Sequence, residues 1–587
     1  MPRPTPPFVL LDDARVGGAA ARLYTRPVEI VTAHAHGEVA SALSTLRQAR
    51  ARGLHAVGFL AYEAGAAFEP GVPVRTPEGP LLWFGLFQGY DTVDPLALLP
   101  DPAGACVGAL VPEGGPARHA EQFAQAQALI AAGDLYQVNL TFRAEVPVSG
   151  DPLALYAGLR ARSRAGWGAV VETGEATILS LSPELFFALE DGRLTARPMK
   201  GTARRHGDPA TDARVAQALR EDPKQRAENL MIVDLMRNDL SRVARPGSVA
   251  VPELFAVEPY PTVHQMVSTV TADLAERYDA VDVLAALFPC GSITGAPKIR
   301  AMQAIGEIED SPRGLYTGAI GRLDANGDAM FNVAIRTLTL PSGRDRAVLG
   351  LGSGIVADSV AADEWDECLA KAAFLTGAVS DFDLIETMAF DPVEGIQHLE
   401  AHLARMKASA AALGFVFNRH DARNELQAAT FRLREPRRVR MLLARGGALA
   451  IEVGPGPAPF DGVVPVQVVP LPVSPQDLRL RHKTSARGFY DAARIAAGTP
   501  EVVFEAPDGS LTEGSFTSLF VERGDMLVTP PLAQGLLPGV LRAHLIETGR
   551  AVEGRVCRTD IQDGFLLGNA LRGLFRARMV ADEGMAG

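Results

Sequence analysis

Pro198-Met199-Lys200-Gly201-Thr202-Ala203-Arg204-Arg205 is the stretch on which the reading of this chain turns. It follows an extended run at 194–197, so the chain reaches it as a strand. Gly201 permits a tight backbone there, and Thr202 supplies a hydroxyl. A lysine beside a glycine at a strand end can present its amine to a pocket. Alone, that is a weak sign, because most lysines are solvated surface charges. Its weight comes from the neighbours: Ser180-Leu181-Ser182-Pro183-Glu184 upstream, and a helical run at 224–242 downstream with Glu228 in its early part.

Together these stretches resemble the chorismate-utilising enzymes, which include anthranilate, aminodeoxychorismate and isochorismate synthases. The resemblance implies an α/β (α+β) fold, a sandwich of two antiparallel-rich sheets with helices outside and the site between them. Where anthranilate-forming members usually carry alanine this chain has Lys200, the mark of the members that form aminodeoxychorismate. Gln137, in Gly133-Asp134-Leu135-Tyr136-Gln137-Val138-Asn139, replaces the lysine base of the water-adding members. A neutral amide does not take a proton from water at useful rates, so ammonia is the expected nucleophile. The plainer alternative, a Gln137 hydrogen-bonded to backbone, removes the water chemistry equally.

The same order of motifs continues over roughly 260 residues. His264 follows Pro261-Thr262-Val263, Thr294 precedes Gly295-Ala296-Pro297-Lys298, Tyr316 lies in the run 315–321, and Arg336 ends the run 332–336. The resemblance makes these four substrate-binding residues. On the helix 363–371, Glu364, Glu367 and Lys371 share one face. By itself that trio is a solvated ladder of ion pairs. Here it follows Leu351-Gly352-Ser353-Gly354, expected as a turn whose backbone N–H groups face an anion. The resemblance assigns Mg2+ to Glu228 and Glu367, with Glu364 close by; Mg2+ takes one or two carboxylates plus waters and substrate oxygens.

The totals agree with a soluble multidomain protein. The chain has 587 residues, too many for one compact core, with 47% apolar and 21% charged residues. A net charge of −12 argues against nucleic-acid binding. The four cysteines, Cys106, Cys290, Cys368 and Cys557, show neither metal spacing nor a disulfide framework. With no signal-peptide pattern and no apolar run of about 18 residues, no membrane is expected and the location is expected to be cytoplasmic. Residues 1–112 are expected to complete the chorismate-binding fold and 113–378 to carry its chemistry. Leu10-Leu11-Asp12-Asp13 stands where anthranilate synthases often have the Leu-Glu-Ser motif of tryptophan feedback, which speaks against that inhibition.

A second resemblance begins around 376–383 and fills 381–587. Leu384-Ile385-Glu386-Thr387-Met388, the run 398–405, Arg481-His482-Lys483-Thr484-Ser485, the run 511–520 and Gly535-Leu536-Leu537-Pro538-Gly539-Val540-Leu541-Arg542 are similar to the fold-type IV pyridoxal-phosphate enzymes. These have two small α/β subdomains with the cofactor between them. By this resemblance Lys483 joins pyridoxal 5'-phosphate, Glu513 pairs with its ring nitrogen, Arg405 holds its phosphate, and Gly539 and Val540 open a helix whose N-terminus binds it. Two departures are visible: Ser518 where many members have asparagine, and Leu541 where many have threonine beside the phosphate.

The two resemblances imply a bifunctional chain. Glu184, the general acid, would protonate the departing C4 hydroxyl of chorismate, and therefore needs a raised pKa. Lys200 would attack C2, ammonia would add at C4, and Lys200 would leave. A nucleophilic lysine must be neutral, which at pH 7 costs an ordinary one roughly 4–5 kcal/mol; Arg204 and Arg205 are the expected source of nearby positive charge. Chorismate's carboxylates would meet Mg2+, Arg336, Lys371 and the amides of Gly352, Ser353 and Gly354. The second half would release pyruvate and leave 4-aminobenzoate, a folate precursor. No Gly-x-Cys-x-Gly nucleophile is present, so ammonia comes from solution or from a glutamine amidotransferase subunit. Fold-type IV enzymes usually dimerise, so a homodimer through the C-terminal half is expected. The rival is an anthranilate synthase component I-like half fused to a branched-chain or D-amino-acid aminotransferase; Lys200 opposes its first part, and the lyase and transaminase share Lys483 and Glu513. A non-catalytic regulator would not be expected to keep every acid, base and ligand.

Overall fold

The computed structural model describes residues 3–69, 71–73, 75–260, 263–375 and 382–580. The junction expected around 376–383 therefore lies largely outside the described residues. The chain divides into two compact units: Met1–Leu99, Leu110–Pro147 and Tyr156–Ala378 form one, and Pro100–Ala109, Val148–Leu155 and Val379–Gly587 the other.

The first unit is built on two sheets whose pairings are all antiparallel. One runs, neighbour to neighbour, Gly295–Ala296, Gln137–Gly150, Arg346–Ile355, Thr337–Pro341, Ala176–Ser182, Trp167–Glu172, Phe8–Asp12, Ala21–Thr25 and Asp91–Val93. The other runs Met199–Arg204, Val263–Asp273, Arg193–Arg197, Leu185–Glu190, Ala329–Val333, Ala319–Leu323, His55–Leu60, Leu82–Phe87 and Glu29–Ala33, with Ala250–Pro259 also on Val263–Asp273.

Strand pleating sends successive side chains to opposite faces, and the two cores follow from that. Val57, Phe59, Trp83 and Ile320 of the second sheet meet Val9, Val171 and Ile178 of the first in one cluster. Their neighbours Phe84, Phe187 and Phe331 point the other way, into a larger core with residues of the helices His36–Ala51, Pro223–Ser241 and Ala280–Leu287. The result is the two-sheet sandwich with outer helices that the sequence implied. The helix Pro223–Ser241 shows why it forms: Asp222 caps it by accepting from the Gln225 N–H at 2.9 Å, and Pro223 occupies its first turn. Ile232, Val233, Met236 and Leu240 form its buried stripe.

The second unit has a four-stranded sheet, Gly395–Ile396, Leu384–Asp391, Arg437–Leu443 and Leu449–Pro455, with the helices Leu399–Leu413 and Arg419–Thr430. Its second sheet has eight strands and mixes parallel and antiparallel pairs. Leu511–Gly514 pairs with both Glu501–Glu505 and Ser518–Arg523. The helices Gly488–Ala497 and Val540–Glu547 accompany it.

Candidate active sites

Lys200 lies on an edge strand of the second sheet, Met199–Arg204, and Gly354 lies on the first. They meet closely: a Cβ built on Gly354 would fall 2.7 Å from Lys200 Nζ and 2.9 Å from Gln137 Nε2. A side chain at 354 would have to push the end of Lys200 or Gln137 aside. Gln137 is 0% exposed, and among the described residues neither its Nε2 nor its Oε1 has a hydrogen-bond partner. Leaving a buried amide unpaired costs about 1–3 kcal/mol. The backbone-bonded alternative is therefore not what the structure adopts; the amide is free beside the lysine.

Several contacts fix Lys200. Glu228 lies 3.5 Å from its Nζ. From the same helix, buried Asn229 donates to the Lys200 carbonyl at 3.3 Å and accepts from buried Ser268 at 2.6 Å. Gly201 adopts a φ of +100°, which few residues with a side chain could. The expected cations lie elsewhere. Arg205 is drawn to Asp212 at 2.6 Å and to the Tyr260 carbonyl at 3.3 Å, and Arg204 is exposed, so the charge closest to Lys200 is the Glu228 carboxylate.

Glu184 is buried, and burial pushes its carboxyl up to about 7, although Ser292 donates to it at 2.7 Å. Ser292 in turn contacts Cys290 Sγ at 3.2 Å. Thr294 is buried and its hydroxyl donates to the Cys290 carbonyl at 2.8 Å, closing this turn. His264 is bound through Nε2 to Asp212 at 2.9 Å, and its Nδ1 is buried without a partner. Arg205, the His206 N–H and His264 together hold Asp212 well below the usual carboxylate range. The Tyr316 ring lies where a Cβ on Gly350 would be, and its hydroxyl is shifted up by burial. Arg336 has a φ of +49°, and burial lowers its pKa. Among the described residues no carboxylate pairs with Arg336.

The segment 352–354 is not a turn. It belongs to the strand Arg346–Ile355, paired residue by residue with Gln137–Gly150: Gly352 with Thr141, Ser353 with Leu140, Gly354 with Asn139. Its glycines serve close approach; a Cβ on Gly352 would meet the Thr141 side chain at 2.6 Å. On the other side, among the described residues, the strand pairs through Val348 and Leu349 and not through 350–355. Lys371 donates to the Gly352 carbonyl at 2.8 Å and pairs with Glu367 at 2.8 Å. Glu228, Glu364 and Glu367 do not gather as one coordination sphere: among the described residues no three acidic, histidine or cysteine groups do. Lys200 pairs with Glu228 and Lys371 with Glu367, while Lys224 is bound to Asp358 at 2.7 Å and only its more distant charge reaches Glu228 and Glu364. The charge of Lys200 also acts on Glu367, and the oxygen donors of Glu228 and Glu367 are of the kind that suits a hard cation.

In the second unit a cavity of about 290 Å³ is lined by Lys483, Glu513, Arg405, Ser518, Gly539 and Val540 among others. The Lys483 carbonyl accepts from the Ile385 N–H at 2.9 Å, fixing the lysine to the strand Leu384–Asp391. Burial, and next the Arg405 guanidinium, pulls the Lys483 amine down to about 7. Glu513 accepts from the Tyr490 hydroxyl at 2.6 Å and the Leu537 N–H at 3.1 Å, and burial pushes it up to about 7. Arg405 donates to both oxygens of Glu386, at 2.8 and 2.6 Å, and to the Pro538 carbonyl at 3.0 Å. His402 binds Glu386 at 2.6 Å. Burial opposes ionisation of Glu386, but Arg405 and His402 outweigh it and hold that carboxyl at about 2.

Gly539 caps the helix Val540–Glu547, and a Cβ there would come within 2.6 Å of Ser518 Oγ. Helix N-terminus, serine and arginine thus make a cradle for a phosphate, with a depressed lysine and a buried acid beyond it. These residues fit pyridoxal phosphate. Sequence reasoning gave no role to Glu386 or Tyr490; the one available signal was a lone acid in the apolar run Leu384-Ile385-Glu386-Thr387-Met388.

Residues 13–377 match the family model described as chorismate binding enzyme. The chain belongs to the chorismate binding enzyme family. Residues 383–580 of this family member match the model for class IV amino-transferases. Over 253 residues, 43% of the chain and 56% of the relative, it is 49% identical to aminodeoxychorismate synthase component 1 of Klebsiella aerogenes. It is also 41% identical over 256 residues to anthranilate synthase component 1 of Aquifex aeolicus, covering 43% of the chain and 51% of that protein. The chain thus spans about half the length of the curated relatives it matches. Among solved structures, anthranilate synthase component I of Streptococcus pneumoniae superposes with a TM-score of 0.53 at 27% identity, covering 64% of this chain and 94% of that one. No helix among the described residues is long and apolar enough to cross a membrane.

Proposed function

We propose that the chain makes 4-aminobenzoate in two steps, amination of chorismate to 4-amino-4-deoxychorismate and then elimination of pyruvate. The observation that carries the reading is the meeting of Lys200 Nζ with the unpartnered Gln137 amide over Gly354. In this reading residues 1–112 complete the fold around 113–378, where the amination occurs, and 381–587 carry the elimination.

Glu184, raised by burial to about 7, protonates the C4 hydroxyl as it leaves as water. Lys200 forms a bond to C2 in the same step. Ammonia then adds at C4 and expels Lys200, restoring the lysine. Gln137 holds no basic site to activate water, which favours ammonia. Arg336 and Lys371 orient the substrate carboxylates. Mg2+ would be held by Glu228 and Glu367, and would offset the carboxylate charge there. Ammonia comes from a partner amidotransferase subunit or from solution, and the location is cytoplasmic.

In the second unit pyridoxal phosphate, when bound, supplies an electron sink next to the C4 amine. Arg405, Ser518 and the Val540 N–H would hold its phosphate, and Glu513 its ring nitrogen. The Gly539 N–H donates to the Leu537 carbonyl at 2.8 Å, so Gly539 would serve by its missing side chain. Lys483, an amine already depressed to about 7, removes the proton from C4. Pyruvate departs because its loss makes the ring aromatic. Fusion keeps the first product at high effective concentration near the second site. A homodimer through the C-terminal half completes the reading.

Mass-spectrometric product analysis with chorismate, Mg2+ and ammonium, with and without pyridoxal phosphate, tests both steps. The expected result is 4-aminobenzoate and pyruvate with the cofactor and accumulated aminodeoxychorismate without it. Anthranilate would overturn the first step, and aminodeoxychorismate that persists with cofactor would overturn the second.

A further inference from the structure

The C-terminal cavity carries more positive charge than a cofactor phosphate uses. Five arginines line it beside Lys483, while Glu513 is the acid in its lining. Two of the five are neutralised: Arg405 by Glu386, and Arg479 by Asp477 at 2.7 Å and Asp101 at 2.6 Å. Arg438, Arg487 and Arg572 have no carboxylate within ion-pair distance among the described residues. Arg487 donates to the Ser515 carbonyl and lies 5.3 Å over the Tyr490 ring, and its charge acts on both Lys483 and Glu513. Arg572 donates to the Ala458 carbonyl at 2.7 Å and lies 4.5 Å over the Phe460 ring. The Asn569 side chain accepts from the Leu571 and Arg572 N–H groups at 3.0 and 2.9 Å, which sets the turn that carries Arg572. Carbonyls and aromatic faces fix where the Arg487 and Arg572 guanidinium groups stand without an ion-pair partner, and Arg438 lines the cavity from the exposed side of the strand Arg437–Leu443.

Arg487 and Arg572 are half-buried and Arg438 is exposed; a ligand that covers them desolvates them, which is costly unless the ligand brings the counter-charge. An α-amino acid with an apolar side chain brings one carboxylate, too little for three arginines and a poor match to a cationic wall. We propose that Arg438, Arg487 and Arg572 form a recognition site for two carboxylates. It would select an amine borne on a dicarboxylate framework over amino acids with neutral side chains. The assignment rests on the proposed elimination, whose substrate carries a ring carboxylate and an enolpyruvyl carboxylate, and it names the side chains that would read them.

The test uses the full chain loaded with pyridoxal phosphate and the variants Arg438→Gln, Arg487→Gln and Arg572→Gln. Two measurements are made. The first is pyruvate release from aminodeoxychorismate, separated into kcat and KM. The second is a titration with chorismate without ammonia, followed by the cofactor's visible absorption. Chorismate has both carboxylates and no amine to react, and that absorption reports the second cavity alone. At least two variants should raise KM and the chorismate dissociation constant together by tenfold or more, with kcat within about threefold and cofactor loading unchanged. Both constants in the wild type should weaken as salt rises. Dissociation constants within twofold of wild type in all three variants would overturn the assignment, as would no chorismate effect on the wild-type absorption. A chain that binds chorismate at this cavity through the arginines but releases no pyruvate would leave the two-carboxylate site standing and overturn the elimination instead.

Discussion

Lys200 Nζ and Gln137 Nε2 face each other across the Cα of Gly354, where a Cβ would be only 2.7 and 2.9 Å from them. The two nitrogens come from different sheets, and the glycine between them is what lets them share one space. Gly354→Ala should therefore displace Lys200 or Gln137 while leaving the strand pairing Gly354–Asn139 in place. The expected outcome is a loss of chorismate amination of a hundredfold or more, with unchanged pyruvate release from added aminodeoxychorismate. Far-ultraviolet circular dichroism and the two separate assays check it. Equal losses in both reactions would mean that the substitution unfolds the chain.

Gln137 predicts the opposite trade between stability and activity. Its amide is buried and unpaired, so the folded state bears a desolvation cost of about 1–3 kcal/mol with no substrate present. Gln137→Leu keeps the volume and removes the polar atoms. Urea unfolding should show a gain of about 1 kcal/mol or more while amination falls sharply. A destabilised variant would mean that the amide has a partner after all.

The pH dependence of Glu184 has a definite sign. Its carboxyl rises from 4.5 in the unfolded chain to about 7 in the folded one, so between those values the folded state holds the proton more tightly. Stability is then fully present below about 4.5 and falls as pH rises toward 7. Glu184→Gln removes this loss. Near pH 4 the variant and wild type should unfold alike, while at pH 8 the variant should be more stable by on the order of 3 kcal/mol at most, at about 1.4 kcal/mol per unit. The wild type's amination should decline above about pH 7 as the acid ionises, and that limb should vanish with the variant's residual activity. A parallel pH–stability curve for the two proteins would refute the raised carboxyl.

Much of this was legible because motifs carry local chemistry. Lys200, Glu184 and Gln137 were expected as site residues from short segments, and the structure brings Lys200 and Gln137 together. The helix expected at 224–242 is Pro223–Ser241, since its cap and apolar stripe lie within the segment itself. What was misread depends on distant partners. Gly352-Ser353-Gly354 has the composition of a turn, but its glycines answer to Thr141, Lys200 and Gln137, none of them nearby in sequence. Arg205 was expected to serve Lys200, five residues away, yet Asp212 on the following helix holds it. Glu228 and Glu367, the pair expected to hold Mg2+, each face a lysine, Lys200 from another part of the sequence and Lys371 from the next helical turn. The motifs alone did not show the first of these. Glu386 escaped notice because a strand acid acquires meaning only when Arg405 and His402 arrive from a helix.

Lys483 offers a prediction that needs no turnover. Burial comes first in lowering its amine to about 7, and the positive charge of Arg405 comes next. In cofactor-free protein, competitive acetylation read by mass spectrometry should show Lys483 half-reactive near pH 7, while exposed lysines follow their usual range near 10. Arg405→Gln removes the repelling charge and leaves Glu386 with His402 as its remaining partner, so the midpoint should move upward by a unit or more. Arg405→Lys keeps the charge and should move it little, which separates an electrostatic effect from a collapsed cavity. Both substitutions also break the two-pronged contact to Glu386, though His402 still binds that carboxylate. The glutamine variant should therefore lose on the order of 3 kcal/mol of stability, the lower end of the cost of removing one partner of a buried charge pair. If the Lys483 midpoint stays near 7 in the folded glutamine variant, burial and the remaining charges set it and Arg405 contributes nothing to the lysine's readiness to react.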